Sequence, residues 1–394
     1  MYSIKKVKNQ HPDFILFCIV LILSLFGLIM VYSASAILAS VDYGTSFYFF
    51  IRQFIFLVIG GIGLIVASKI NLSLARSWAF KGLLVGLGLM VLVCIPGIGR
   101  SIGGAQRWFR LGLFSFQPSE AMKILLIFYL ADSLDRRQKI LNQFSGIIPY
   151  LMILGSILIL LELQHDFGNA LLLAFLTLTM LLLAGVPWKS FLIPAASLIP
   201  VFVYFVLAQR YRVKRIIAFL HPWKYASSTG FQLVQSLIAV GSGGPLGVGL
   251  SNSNQKLFYL PAPHTDFIFA IICEELGLIG SIGVSVLFFI FMIRGFKIAE
   301  MASQKGENIF YGLLAVGLTS SIGFQAFSNF GVVIGLLPTK GITLPLISYG
   351  GSSLVFTLIS IGLLLNISRG LNLPSVFENK DRELRSQYQT WKAE

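Results

Sequence analysis

The sequence is poor in charge. Only 12% of its 394 residues are Asp, Glu, Lys or Arg, about half the share of an ordinary soluble domain. Beside a 56% hydrophobic composition, that scarcity excludes a single soluble core and points to a chain that crosses a membrane several times. Carboxylates are scarcest of all, 16 Asp+Glu against 30 Lys+Arg. No separate polar domain carries the basic excess, so nucleic acid is not the indicated partner. The excess reads as topology signal and as contact with anionic headgroups. Cysteine is nearly absent: Cys18, Cys94 and Cys273 all sit in apolar runs, which argues against a disulfide framework or a thiolate metal site. His165, one of four histidines, has no partner at metal-ligand spacing.

What is present is a succession of apolar runs, at 14–32, 49–67, 79–96, 119–132, 146–162, 167–185, 190–207, 267–293, 309–335 and 344–366. The fold class they predict is an all-α polytopic membrane protein with about ten transmembrane helices. The first run is longer than the roughly 7–15 residues of a signal-peptide core. It is read as a retained span, although Ala34 and Ala36 imitate a cleavage site. The run at 119–132 is short and contains Glu120 and Lys123. A long polar loop, 208–266, separates the seventh and eighth spans. The predicted organisation is an N-terminal segment 1–13, a membrane domain 14–366 and a polar tail 367–394. Placing the N-terminus in the cytoplasm puts 18 of the 30 Lys+Arg on inner segments and both termini inside, as the positive-inside rule requires. Arg100, Arg107, Arg110 and Lys340 then lie in short outer loops against that rule. Something on the outer face calls for positive charge.

Nine of the 16 carboxylates, Asp13 and Asp135 among them, fall in loops or tails and need no special role. Glu120, Asp132, Glu162, Asp166, Asp266, Glu274 and Glu275 lie in or against the membrane, where a carboxylate costs about 2.5–3.5 kcal/mol unless paired or used. Asp266 closes the stretch LPAPHTD and precedes the helix-forming FIFAIICEELG. It reads equally as a cap for that helix and as a general base with a pKa raised by an apolar wall. Glu274 lies about 12 Å further along the same helix, too far to share a proton. Glu274 and Glu275 are expected to pair with buried cations or to meet the cytoplasmic half of the bundle.

Four other stretches hold chemistry. In GGAQRWFRLGLFSFQPSEAMK, Arg107 and Arg110 flank Trp108 and Phe109, which suits a membrane interface and equally a phosphate. Pro118-Ser119-Glu120 is a helix start, and Glu120 and Lys123 are spaced to face each other, as a structural pair or as catalytic participants. Asp166, in QHDFGN, is a candidate cap for the next span. The long loop carries RYRVKR (210–215), and residues 231–240 read as a short amphipathic interfacial helix. Its GSGG lacks the ending of a phosphate-binding loop. Finally, GLLPTKGITLPLISYGGSS (335–353) holds two prolines and four glycines. Irregular backbone at membrane depth must be buried in protein or line a cavity, so this segment is a predicted cavity wall.

Together RWFRLGLFSFQPSE, QSLIAVGSGG, LPAPHTDFIFAIICEELG and LLPTKGITLPLISYGGSS resemble, in order and spacing, the SEDS family (shape, elongation, division and sporulation). The resemblance covers about residues 12–370. It implies a peptidoglycan glycosyltransferase that polymerises lipid II at the outer face of the cytoplasmic membrane. The Thr-Lys-Gly version of the last motif is similar to the division branch, with the sporulation branch close. On this resemblance Asp266 takes the place of the family's essential aspartate, and Arg107, Glu120 and Lys123 that of its polar motif residues. Asp166 takes the aspartate of Q-x-D-x-G, and Lys340 the Thr-Lys-Gly lysine. Arg215 joins Arg107, Lys123 and Lys340 as a candidate to stabilise a leaving pyrophosphate. No ligand cluster demands a metal, and a divalent cation sharing that work is left open. The implied partners are lipid II, the membrane, a cognate single-span transpeptidase (a penicillin-binding protein) and other division proteins, at the division septum. Two departures stand out: Ala262-Pro263 replaces a common Glu-Ala, and His165 and Phe167 flank Asp166 where Pro and Leu are usual. Ten spans with intramembrane charge would also suit a lipid II flippase, or a scaffold recruiting a synthase. Composition alone does not rank transferase above transporter.

Overall fold

Helices follow all ten apolar runs. The computed structural model describes residues 12–370 apart from 103, 112–113, 258 and 306–308. The basic N-terminal residues and the charged tail beyond 370 lie outside the described residues. In chain order the helices are α1 (Phe14–Tyr43), α2 (Tyr48–Ala67), α3 (Leu72–Ser77), α4 (Ala79–Cys94), α5 (Pro118–Arg136), α6 (Phe144–Leu163), α7 (Phe167–Leu183), α8 (Trp188–Leu207), α9 (Arg210–Leu220), α10 (Phe231–Ser242), α11 (Ile268–Lys305), α12 (Phe310–Val333) and α13 (Gly351–Gly370). Among the described residues seven of them, α1, α2, α6, α8, α11, α12 and α13, are long and apolar enough to cross a membrane. The other three predicted spans, α4, α5 and α7, are shorter or more polar. An antiparallel sheet of β1 (Arg100–Ile102), β2 (Ala105–Leu111) and β3 (Phe114–Phe116) joins α4 to α5. Its residues, expected from the sequence to form a loop, pair as strands instead.

Local chemistry sets the boundaries. The Asp13 side chain accepts from Leu16 N and caps α1, which runs well past the predicted end to stop at Gly44, φ 72°. Pro118 opens α5 where its missing N–H costs nothing. In the long loop, α10 occupies the predicted amphipathic stretch, and α9 is a further helix built on RYRVKR. α13 starts at Gly351, later than the predicted 344, because residues 334–350 run as an irregular strap.

The run 267–293 is not one straight span. Gly277 sits inside α11 at φ 65°, ψ −160°, and a Cβ there would lie 2.3 Å from Gly247 N. Only glycine permits both the turn and the contact. The piece 268–276 therefore lies across the bundle. At one end Asn329 holds Asp266 O, and at the other Ser33 holds Glu275. These two anchors sit at similar depth, each about 28 Å along its own helix. Glu274 is thus no deeper than Asp266.

α12 is the axis of the bundle. It packs against α5, α7, α11 and α13, and most of its residues are buried. Ion pairs close both ends. On the face that holds the start of α1, Arg294 pairs with Asp13, and Asp13 N bonds Ser368 of α13 at 3.1 Å. On the same face Arg76 bridges Asp132 and Asp135, each at 2.6 Å, and Asp135 also accepts from Ile309 N at 2.8 Å. Asp13 and Asp135, which looked like idle loop carboxylates, each tie helices together. On the opposite face Glu275 meets a buried cation, Lys256 at 2.9 Å, as expected. Glu274 meets neutral donors, Ser253 Oγ and Asn254 N. Neither reaches the half of the bundle that holds the start of α1.

Glu275 is 0% and Lys256 5% exposed. Lys256→Met should therefore strand a buried carboxylate and cost about 3–5 kcal/mol, read by chemical denaturation in micelles. Adding Glu275→Gln to Lys256→Met should restore much of the loss. Equal stability of Lys256→Met and the parent would refute the pairing as a structural tie.

Candidate functional site

On the face opposite the start of α1, a cavity of about 520 Å³ gathers residues from six separate stretches of chain. Asp266, Arg107, Arg215 and Lys340 all line it, with Gln209, Tyr211, Gln232 and Thr339. These four predicted residues come from β2, α9, the strap and the start of α11, far apart in sequence.

Asp266 is half-buried. Its Oδ1 accepts from Thr265 Oγ1 at 2.5 Å. Among the described residues no α11 amide bonds this carboxylate, so it is not the helix cap that the sequence allowed. Its Oδ2 faces Gly341, where a Cβ would come within 3.6 Å. Gly341 has φ 66°, and the missing side chain lets the strap pass beside the carboxylate. The backbone around Asp266 is pinned on three consecutive carbonyls: His264 O by Tyr349 N, Thr265 O by Ser348 Oγ, and Asp266 O by Asn329 Nδ2, at 2.9, 2.6 and 2.7 Å.

The cations differ in how far they are committed. Lys340 makes no ion pair among the described residues, and burial pushes its pKa below the ordinary lysine value. Arg107 approaches Asp166 at 3.5 Å, and its Nε is buried without a hydrogen-bond partner. Arg215 is exposed, with its guanidinium over the Tyr211 ring. Its neighbour Arg212 is the structural member of the cluster: 4% exposed, it pairs with Glu162 at 2.6 Å and donates to Phe205 O, locking α9 over α6 and α8.

Asp166 is a cap and more. It accepts from Asn169 N at the start of α7, and from Gln117 Nε2 at 2.8 Å and Asn169 Nδ2 at 2.9 Å. Held by these donors, it aims Arg107 at the cavity. Glu120 and Lys123 form a 2.7 Å pair, each 5% exposed, and lie outside the cavity lining. Lys123 Nζ reaches Gln325 Oε1 at 3.2 Å, and Gln325 Nε2 continues to Thr343 O of the strap at 3.1 Å. Gln325 and Asn329 belong to none of the sequence motifs, yet both reach the strap. They are amides one turn apart in a span whose other polar side chains are hydroxyls, which is itself a signal.

A second cavity, about 590 Å³ and apolar, is a groove between α7 and α8 that Phe324 of α12 also lines. It shares Val206, Ile216 and Lys340 with the polar cavity. Lys340 thus stands where an apolar groove meets a cationic chamber. Among the described residues no group of three or more His, Cys, Asp and Glu is placed to hold a metal ion.

Residues 13–373 match the Cell cycle protein family of FtsW, RodA and SpoVE. The chain belongs to this family. It is 44% identical to the probable peptidoglycan glycosyltransferase FtsW of Geobacter metallireducens over 360 residues, 91% of this chain and 95% of that one. It is 42% identical to stage V sporulation protein E of Bacillus subtilis over 363 residues, covering 92% and 98%. Among solved structures it is similar to a chain of a peptidoglycan synthase complex described for its coordination of polymerization and crosslinking. That match has TM-score 0.75 and 30% identity and covers 91% of this chain and 98% of that chain. RodA of Thermus thermophilus matches with TM-score 0.67 at 27% identity, covering 92% and 98%. The resemblance read from the motifs is borne out, as is the polytopic helical fold.

His264, two residues before Asp266, is 6% exposed and packed between the Phe49 and Tyr349 rings. Burial pulls its pKa down to about 4. An unfolded chain takes up a proton there near pH 6.5, while the folded chain resists until about pH 4. The stability it supports is therefore full above pH 6.5 and falls as the pH drops toward 4. Replacing it, His264→Leu, should flatten the decline in unfolding midpoint between pH 7 and 4.5. An unchanged slope would show that His264 is not a source of the acid sensitivity.

Proposed function

We propose that this family member, a peptidoglycan glycosyltransferase, polymerises lipid II with Asp266 as the general base. The observation that supports this reading is the convergence of one carboxylate free of helix capping and three incompletely paired cations, Arg107, Arg215 and Lys340, on a single cavity. Asp266 takes the proton of the 4-hydroxyl of the acceptor N-acetylglucosamine. That oxygen attacks the anomeric carbon of the donor chain, the bond from that carbon to the pyrophosphate oxygen breaks, and the pyrophosphate leaves with the electron pair. The α-linked donor is inverted to a β-1,4 bond. Charge gathers on the leaving group, and the cations that line the chamber stabilise it. The undecaprenyl chain of the substrate fits the apolar groove between α7 and α8, with its pyrophosphate at Lys340. Glu120 and Lys123 act from beneath, through Gln325 and the strap.

The protein is a multi-pass membrane protein. We place both termini in the cytoplasm of a bacterial cell and the cavity outside, from the distribution of Lys and Arg. Septal work in division fits the relatives named FtsW at 44% identity, and a single-span transpeptidase as partner fits the likeness to a synthase complex.

Purified protein given lipid II in detergent should form glycan polymer, Asp266→Asn should form none while remaining folded, and Lys340→Gln should lose about 100-fold in kcat. Detergent removes sidedness, so a flippase or a scaffold would yield no polymer. Normal polymerisation by Asp266→Asn would remove the base assignment.

A further inference from the structure

Asn329 is 1% exposed and sits on the face of α12 that carries Gln325 one turn earlier. Its Nδ2 donates to two main-chain carbonyls, Asp266 O and Ile342 O, both at 2.7 Å. The two carbonyls belong to different walls of the cavity. One is on the residue that carries the carboxylate, and the other lies two residues after Lys340. Asp266 O is left free for this bond because Ala270 N turns to Phe267 O at the start of α11. The amide has only one workable orientation: turned over, Oδ1 would face two carbonyl oxygens. As it stands, Oδ1 is buried with no hydrogen-bond partner. An unpaired buried acceptor is destabilising, so this amide is poorly explained as a contribution to stability alone.

We propose that Asn329 is a positioning residue. It fixes the separation between the Asp266 carboxylate and the strap segment Lys340–Gly341 by holding both segments on one nitrogen. The inference rests on the proposed role of Asp266. The geometry leaves little slack, because Gly341 already passes beside Asp266 Oδ2 at positive φ. Gln325 braces the same strap at Thr343 O and Oγ1, at 3.1 and 3.2 Å. Without Gln325 the strap would still be joined to Asp266. Without Asn329 no described hydrogen bond would join Asp266's own backbone to the strap segment that carries Lys340. Substrate contacts would remain, but the base would be tied to the strap only through His264 O and Thr265 O, to Tyr349 and Ser348 at the far end of the strap from Lys340, and its spacing from the leaving-group cation would loosen.

The test uses Asn329→Asp, which keeps the shape and removes the amide donors, and Asn329→Ser, which cannot span both carbonyls. Polymer formation from purified lipid II in detergent gives kcat and KM, and thermal unfolding gives the folded fraction. The expected result is a kcat lower by about 10- to 100-fold with KM changed less than about twofold, in folded protein. A folded variant with parental kcat overturns the proposal. So does a loss carried by KM, or failure of both variants to fold, which would make Asn329 purely structural. Asp266→Asn runs alongside. If it polymerises normally, the base assignment fails and this inference with it. If it is inactive while folded Asn329 variants are fully active, only this inference fails.

Discussion

Irregular backbone survives inside an apolar bundle only where side chains replace the hydrogen bonds that water would make. The strap between α12 and α13 depends on that constraint. Gln53 of α2 donates to Ser348 O at 3.0 Å, and Ser348 Oγ accepts from Leu344 N at 2.8 Å. Gln325 and Asn329 of α12 take Thr343 O and Ile342 O. With these bonds made, the strap can lie deep enough to present Lys340 to the cavity. It also pins the backbone that carries Asp266. The polar residues of otherwise apolar helices are therefore scaffolding for a non-helical segment.

Charge is distributed by a second rule. Most buried ions are neutralised at short range: Lys256 by Glu275, Lys123 by Glu120, Arg212 by Glu162, and Arg76 by Asp132 and Asp135. Apart from the Lys123–Glu120 pair, which lies within α5, these pairs tie separate elements together. The cavity holds the exceptions. Arg107 and Lys340 are partly buried there with incomplete pairing, and Arg215 stands at its exposed rim. The polar chamber keeps a surplus of positive charge beside a single available carboxylate. An anion that carries its own hydroxyl nucleophile, or meets one there, is the chemistry this surplus suits.

The helices were legible in the sequence because apolar length is a local property, and all ten runs became helices. The walls of the cavity were legible through motifs: Asp266, Arg107, Arg215 and Lys340 were each singled out and converge. What was not legible depends on conformation or depth. Apolarity runs unbroken through LGLIGSIG, so nothing in composition announces the turn at Gly277. The strands β1 to β3 hide in a stretch whose aromatics suit an interface equally well; cross-strand pairs such as Phe109–Phe116 reveal the pleat. In RYRVKR, Arg212 and Arg215 are equivalent on paper, and the partner Glu162, fifty residues away, decides which is buried. The same holds for Asp13 and Asp135, idle in sequence and bonded in space.

The junction at Lys340 has a practical consequence for ligands other than the substrate. The polar chamber alone offers charge and hydrogen bonds that water and phosphate already satisfy outside. The groove alone is apolar wall open to lipid, where any hydrocarbon competes. Neither half discriminates well by itself. A compound that places an anion against Lys340 and Arg107 and threads a short, stiff apolar arm past Val206 and Ile216 would occupy both at once, and its selectivity would come from the fixed distance between them. A headgroup without the arm, or an arm without the headgroup, forfeits that gain.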